Sequence, residues 1–188
     1  FNEKQIKELK NLIPYLDYLI WQGGEVFLSK AFMDLFELAS NNNIKQAIIT
    51  NGLLINDSIA DKIVKNNVCL TISIDDVEKY GYEQIRIGGN FDKLISNLKL
   101  LNSLKNKYKN SHFDMKMSVV VMKSNYNKLE QILNFAKQYN FSVIELNPIS
   151  LKKDNYEQQI FFPKSDYAKI KYINKILPNI YKRACELG

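Results

Sequence analysis

Cysteine, histidine and arginine are all scarce in this sequence, and each shortage removes a class of chemistry. The 188 residues hold two cysteines, Cys69 and Cys185, and one histidine, His112. Two separated cysteines cannot build a disulfide framework or a multi-cysteine metal site unaided, so both are read as buried or incidental thiols and no metal is expected on this chain. His112 lies in a polar connection without a partner histidine. A zinc site or a Ser-His nucleophile is therefore unsupported, and a surface position is expected. No stretch approaches the roughly 18 apolar residues of a membrane span, so no membrane partner is expected and the expected location is the cytoplasm. Only two arginines, Arg86 and Arg183, contribute to the net charge of +6. The rest is lysine spread over helix exteriors, including Lys99, Lys105, Lys107 and Lys109, a pattern that solvated faces explain. Binding to nucleic acid is not expected.

What remains is the composition of an ordinary globular domain, 46% hydrophobic and 24% charged. The length suits one domain with a sizeable core. The chain begins at Phe1 rather than Met, and the expectation is a piece of a longer protein.

Hydrophobic spacing predicts a helix over residues 2–13 with Asn2 as its cap, then a strand over 18–22 that stops at Gly23-Gly24-Glu25. Ser29 is the expected cap of a second helix, which the Asn41-Asn42-Asn43 cluster ends. A strand follows at 46–49, closing on Thr50-Asn51-Gly52, and then a helix from Asn56 or Asp57 to Asn66-Asn67. Val68 to Ile74 is rich in β-branched residues, which suits a strand buried on both faces. A loop through Arg86 and Gly88-Gly89 leads to a long helix, then a strand over 116–122, a helix after Ser124-Asn125, and a strand over 142–146 ending at Asn147-Pro148. A last helix from Ser165 is expected to kink or break at Pro178.

Strands spaced mostly a βα unit apart pair in parallel through crossover helices, which makes the fold α/β with about five parallel strands. The single expected domain covers 1–188, with a motif-bearing core at about 5–150 and a C-terminal helical segment at 160–187. Parallel strands present their carboxyl ends at one rim, where such folds bind ligands. Gathered there would be Gly23, Gly24, Glu25, Asn51, Ser73, Asp75, Asn147 and Pro148. Taken singly, each of these makes a βα turn as readily as a ligand contact. As a set they suit a polar, zwitterionic, nucleoside-like ligand: Glu25 and glycine carbonyls accept from an ammonium, Ser73 and Asp75 bond sugar hydroxyls, and Asn147 reads a base edge. No catalytic residue can be named, because no nucleophile–base pair or phosphate loop accompanies the set. Chemistry would have to come from a bound group or from residues outside this sequence.

These residues resemble the radical S-adenosylmethionine enzymes, in particular the branch that carries a C-terminal auxiliary cluster (SPASM-type) domain and modifies peptides or sulfatases. Gly23-Gly24-Glu25-Val26 is similar to that family's GGEP, Thr50-Asn51-Gly52 to its TNG strand end, and Ser73-Ile74-Asp75-Asp76 to its S-x-D-G. The stretch from Ile85 to Leu94 resembles its R-x-x-G-x-F. The resemblance implies a partial (βα) barrel in which Gly23, Gly24 and Glu25 hold the amino group of S-adenosylmethionine. It further implies that Ser73 and Asp75 lie by the ribose or carboxylate, that Asn147-Pro148 edges the adenine, and that Arg86 faces substrate or the cofactor carboxylate. The parent would cleave S-adenosylmethionine reductively at a [4Fe–4S] cluster and modify a peptide or protein substrate.

Three departures qualify what is carried over. The CxxxCxxC loop that binds the cluster is absent, Val26 replaces a proline, and Asp76 replaces a glycine. The expectation is a fragment that is inactive alone, with the cluster in the parent only. Two other classes remain open: a non-catalytic peptide- or nucleoside-binding module, and a structural fragment of another parallel α/β protein. With the first barrel strand missing, Leu19–Trp21 would be an open edge with Trp21 partly uncovered. Self-association, as a twofold dimer through this edge or the open barrel interior, is expected.

Overall fold

The computed structural model describes residues 2–109, 112–148 and 167–187. Two compact units emerge, one from Phe1–Ser73 with Lys93–Met115, the other from Ile74–Asp92 with Lys116–Gly188. The described strands are hydrogen-bonded in the order in which they occur along the chain.

The first unit opens with α1 (Glu3–Leu12), where Asn2 and Gln5 satisfy each other's backbone N–H in a capping box. Next come β1 (Tyr18–Trp21), a 3₁₀ turn at Val26–Leu28, α2 (Phe32–Asn41), β2 (Lys45–Thr50), α3 (Asp57–Lys65) and β3 (Cys69–Ser73). The strands pair in parallel, with Trp21 opposite Ile48 and Ile48 opposite Leu70. Asn56 caps α3 by accepting from the Ile59 N–H, and Asn43 and Asn67 adopt left-handed φ of 58° and 55° to turn the chain from helix into the next strand. Helix–sheet packing buries Leu35, Phe36, Ile48, Ile63, Leu70 and Ile72 completely. Each such side chain contributes about 1.5–3 kcal/mol of burial.

The second unit holds α4 (Lys79–Ile85), most of β4 (Asp114–Val121), a 3₁₀ turn at Tyr126–Lys128, α6 (Leu129–Gln138), β5 (Val143–Pro148) and α7 (Tyr167–Leu187). The helix α5 (Phe91–Lys107) begins here and continues into the first unit. β4 alternates, burying Met117, Val119 and Val121, and pairs in parallel with β5, Val120 lying opposite Asn147. Ile74 N–H donates to the Ser118 carbonyl.

Several expectations are corrected. Ser29 does not cap α2, whose cap is Ala31 without a side-chain bond; Ser29 instead ends the 3₁₀ turn by donating its N–H to the Val26 carbonyl. The segment expected to be a loop before Arg86 contains α4, a helix of seven residues with Gly81 inside. Of the kink or break expected at Pro178, the break is contradicted: α7 continues through that residue. Ser165 and the rest of 160–166 lie outside the described residues. Trp21 is 6% exposed, because its ring meets Phe32 edge-on at 5.3 Å; Tyr18 and Ile20, on the opposite face of β1, are the half-exposed residues. Among the described residues, no helix is long and apolar enough to cross a membrane.

Candidate functional site

In the first unit the end of β1 is built to display backbone. Gly23 and Gly24 have φ of +101° and +58°, and among the described residues, their own chain neighbours apart, no heavy atom lies within 4 Å of where their Cβ atoms would be. The glycines therefore serve the left-handed turn and leave open space beside it, rather than making room for packing. Glu25 follows, half-buried, and caps the 3₁₀ turn. Its carboxylate is fixed from the neighbouring strand: Oε1 accepts from Thr50 Oγ1 at 2.7 Å and Oε2 accepts the Asn51 N–H at 3.0 Å.

The Thr-Asn-Gly end of β2 explains itself residue by residue. Thr50 Oγ1 also accepts the Gly52 N–H at 3.0 Å, and Asn51 Oδ1 accepts the Leu53 N–H at 2.9 Å. Gly52 has φ +78°, and a Cβ there would sit 3.1 Å from Ile72 Cγ2 and 3.2 Å from Leu94 Cδ1. Its carbonyl accepts from buried Asn97 at 2.7 Å. Glu25, Thr50 and Asn51 are thus joined by direct bonds, and Ser73 ends the adjacent β3, one residue beyond the Thr50–Ile72 pair. An oriented carboxylate beside exposed backbone can take an ammonium, since each oxygen accepts more than one donor.

In the second unit Asp75 is 5% exposed and fully engaged. Its Oδ1 accepts the Val120 N–H at 2.8 Å and its Oδ2 pairs with Arg86 at 2.7 Å. Asn125, expected just ahead of α6, is completely buried and ties this region together, donating to the carbonyls of Asp75 and Val120 and accepting the Met122 N–H. Asn147 and Pro148 are exposed at the end of β5, where Asn147 Nδ2 donates to Ser118 Oγ at 3.2 Å.

Tyr82 is the residue that sequence reasoning missed. It is fully buried, one helical turn before Arg86, with Phe91 against its ring at 5.4 Å. A Cβ at Gly89 would lie 2.9 Å from the Tyr82 ring and 2.7 Å from the Arg86 carbonyl, which is why glycine closes this turn. Burial pushes the Tyr82 phenol above its ordinary pKa, with Arg86 opposing and Asp75 and Glu83 adding to the rise. The i, i+4 spacing to Arg86 was the available signal.

Cys69 is half-buried and Cys185 exposed. Among the described residues, no group of three or more His, Cys, Asp or Glu side chains is arranged to hold a metal.

Residues 2–136 match the family model of the Radical SAM superfamily. The chain is 27% identical over 177 residues to a cysteine-type anaerobic sulfatase-maturating enzyme of Clostridium novyi, covering 86% of the chain and 44% of the relative. It is 27% identical over 171 residues to a GTP 3′,8-cyclase of Clostridium botulinum, covering 85% and 52%. The chain therefore spans about half the length of the curated relatives it matches. Among solved structures, SuiB of Streptococcus suis bound to S-adenosylmethionine superposes with a TM-score of 0.76 at 16% identity, over 97% of this chain and 42% of SuiB. A further structure of SuiB holds its precursor peptide SuiA. These likenesses show the fold, a partial (βα) barrel of parallel strands.

Proposed function

Because the chain belongs to the Radical SAM superfamily, we propose that its Gly23-Gly24-Glu25 turn holds the methionyl ammonium of S-adenosylmethionine. The observation that carries this reading is the Glu25 carboxylate, oriented by Thr50 and Asn51 beside a glycine backbone with open space next to it. Ser73 lies by the ribose or carboxylate of the cofactor. Asp75 acts by orienting Arg86 toward substrate or the cofactor carboxylate. For the second unit taken by itself, the reading assigns Asn147 and Pro148 to an adenine edge.

With S-adenosylmethionine held by Gly23, Gly24 and Glu25 beside a reduced [4Fe–4S] cluster, the pair would supply radical hydrogen-abstraction chemistry to the whole protein. A chain with two cysteines cannot furnish three thiolates for that cluster, so no step is assigned to its own residues beyond binding and orientation, and alone it is inactive. For the whole protein the reading is an Fe–S oxidoreductase of the auxiliary-cluster branch that modifies a peptide or protein. The sulfatase-maturating relative and the peptide-bound neighbour support this substrate class. The GTP 3′,8-cyclase relative, at equal identity, supports a second reading with a nucleotide substrate.

The test uses the whole protein, reconstituted anaerobically and reduced with dithionite in the presence of S-adenosylmethionine. Formation of 5′-deoxyadenosine, unchanged by added GTP, is expected. Its absence contradicts the proposed chemistry, and consumption of GTP selects the second reading.

A further inference from the structure

Asp76 stands where the resembled motif has glycine, and its carboxylate is buried, the residue being 1% exposed. Burying a carboxylate is unfavourable unless it is paired and hydrogen-bonded. Here Oδ1 accepts the Glu78 N–H at 2.9 Å, and Oδ2 accepts from Lys128 Nζ at 2.7 Å. The same ammonium reaches Glu78 Oε2 at 2.8 Å. The position of the carboxylate is also dictated from α4. A Cβ on Gly81 would fall 2.2 Å from Asp76 Oδ2 and 2.4 Å from its Cγ, so the carboxylate fills the space any side chain at 81 would need.

Asp76, Gly81 five residues on and Lys128 far along the chain therefore depend on one another. Their placement bears directly on the preceding residue. Asp75 is held by the Val120 N–H, by Arg86 and, through its carbonyl, by Asn125. A shift of Asp76 moves the peptide that joins it to Asp75.

We propose that Asp76, Gly81 and Lys128 form a mutually dependent lock that positions the Asp75–Arg86 pair. Only its consequence for cofactor binding rests on the function proposed above. The three are positioning residues, and their signature is the Val120 amide, which reports the Asp75 carboxylate by its own hydrogen bond.

The test compares Gly81→Ala, Asp76→Gly, the Gly81→Ala/Asp76→Gly pair, Lys128→Met and Lys128→Arg in the 188-residue chain. Thermal melting and the amide resonance and hydrogen exchange of Val120 are read for each. Lys128→Met, which leaves a buried carboxylate short of its cation, is expected to lower the melting temperature by about 6–12 °C. Lys128→Arg restores most of it. Gly81→Ala shifts the Val120 resonance and quickens its exchange by about tenfold. Adding Asp76→Gly to Gly81→Ala removes the clash and recovers stability relative to Gly81→Ala alone. The inference is overturned if Gly81→Ala is as damaging in the Asp76→Gly background as in the native one, or if the Val120 amide is unmoved in both Gly81→Ala and Lys128→Met. Should the lock behave as expected while S-adenosylmethionine affinity stays constant, the positioning holds and the cofactor role of Asp75 fails.

Discussion

Replacing Thr50 with valine asks whether the acidic turn after β1 is held in place by the end of β2. The residue is 3% exposed, and its hydroxyl both donates to Glu25 at 2.7 Å and accepts the Gly52 N–H at 3.0 Å. Valine keeps the shape and loses both functions. The charge-assisted bond to Glu25 is worth about 1.5–3 kcal/mol, and the lower end applies because Glu25 keeps the Asn51 N–H and some access to water. Leaving the Gly52 N–H unsatisfied adds about 1 kcal/mol. The expected loss is about 2–3 kcal/mol, or about 4–12 °C in melting temperature. Thr50→Ser keeps the hydroxyl and forfeits only a methyl group, about 0.8 kcal/mol. Urea denaturation followed by fluorescence suits the purpose, since Trp21 is the sole tryptophan and lies four residues before Glu25. Combined with Glu25→Gln in a double-mutant cycle, the coupling should be about 1–2 kcal/mol. A Thr50→Val protein as stable as Thr50→Ser, or a coupling below about 0.3 kcal/mol, would refute the reasoning.

The remaining predictions concern pH, cluster assembly and association. Burial pushes Tyr82 above its ordinary 10.0 despite Arg86; burial alone would lower Lys128, but bonds to Asp76 and Glu78 outweigh it and raise the ammonium above 10.5. Both groups hold their protons more tightly folded than unfolded, so their contribution is complete below about pH 10 and is lost as pH rises through the folded values. Tyr82→Phe should flatten this alkaline decline by at most about 1.4 kcal/mol per pH unit, measured by urea titration at a series of pH values. Treated anaerobically with iron and sulfide, the chain should remain colourless, because it has two cysteines; a stable brown species with [4Fe–4S] absorption would contradict that. β1 ends the sheet order with Tyr18 and Ile20 half exposed, so light scattering should show the average mass rising with concentration. A constant monomer mass would argue that this edge is covered.

The strands were legible because each is a short apolar run closed by turn residues, and the asparagines after α2 and α3 announced left-handed helix ends. The 3₁₀ turn at Val26–Leu28 was not, since Ser29 looks like the cap of the next helix in sequence, whereas in space Glu25 caps the turn and Ser29 ends it. α4 escaped because seven residues with an internal glycine give too little periodicity to see. Within the candidate site, Gly23, Gly24 and Glu25 could be read directly. The partners of Glu25 could not, because Thr50 lies 25 residues away and the bond depends on the register of β1 against β2. Asp75 and Asp76 read alike in sequence, and only the third dimension assigns one to Arg86 and the other to Lys128.

The central claim, that the turn after β1 receives the amino-acid end of S-adenosylmethionine, is tested most directly by following backbone amide resonances during a titration. Saturable shifts are expected at Gly23, Gly24, Glu25 and Asn51 with S-adenosylmethionine, and none at these four residues with methylthioadenosine, which lacks the amino-acid group. Equal shifts with both compounds, shifts confined to other residues, or no response at millimolar S-adenosylmethionine would contradict it.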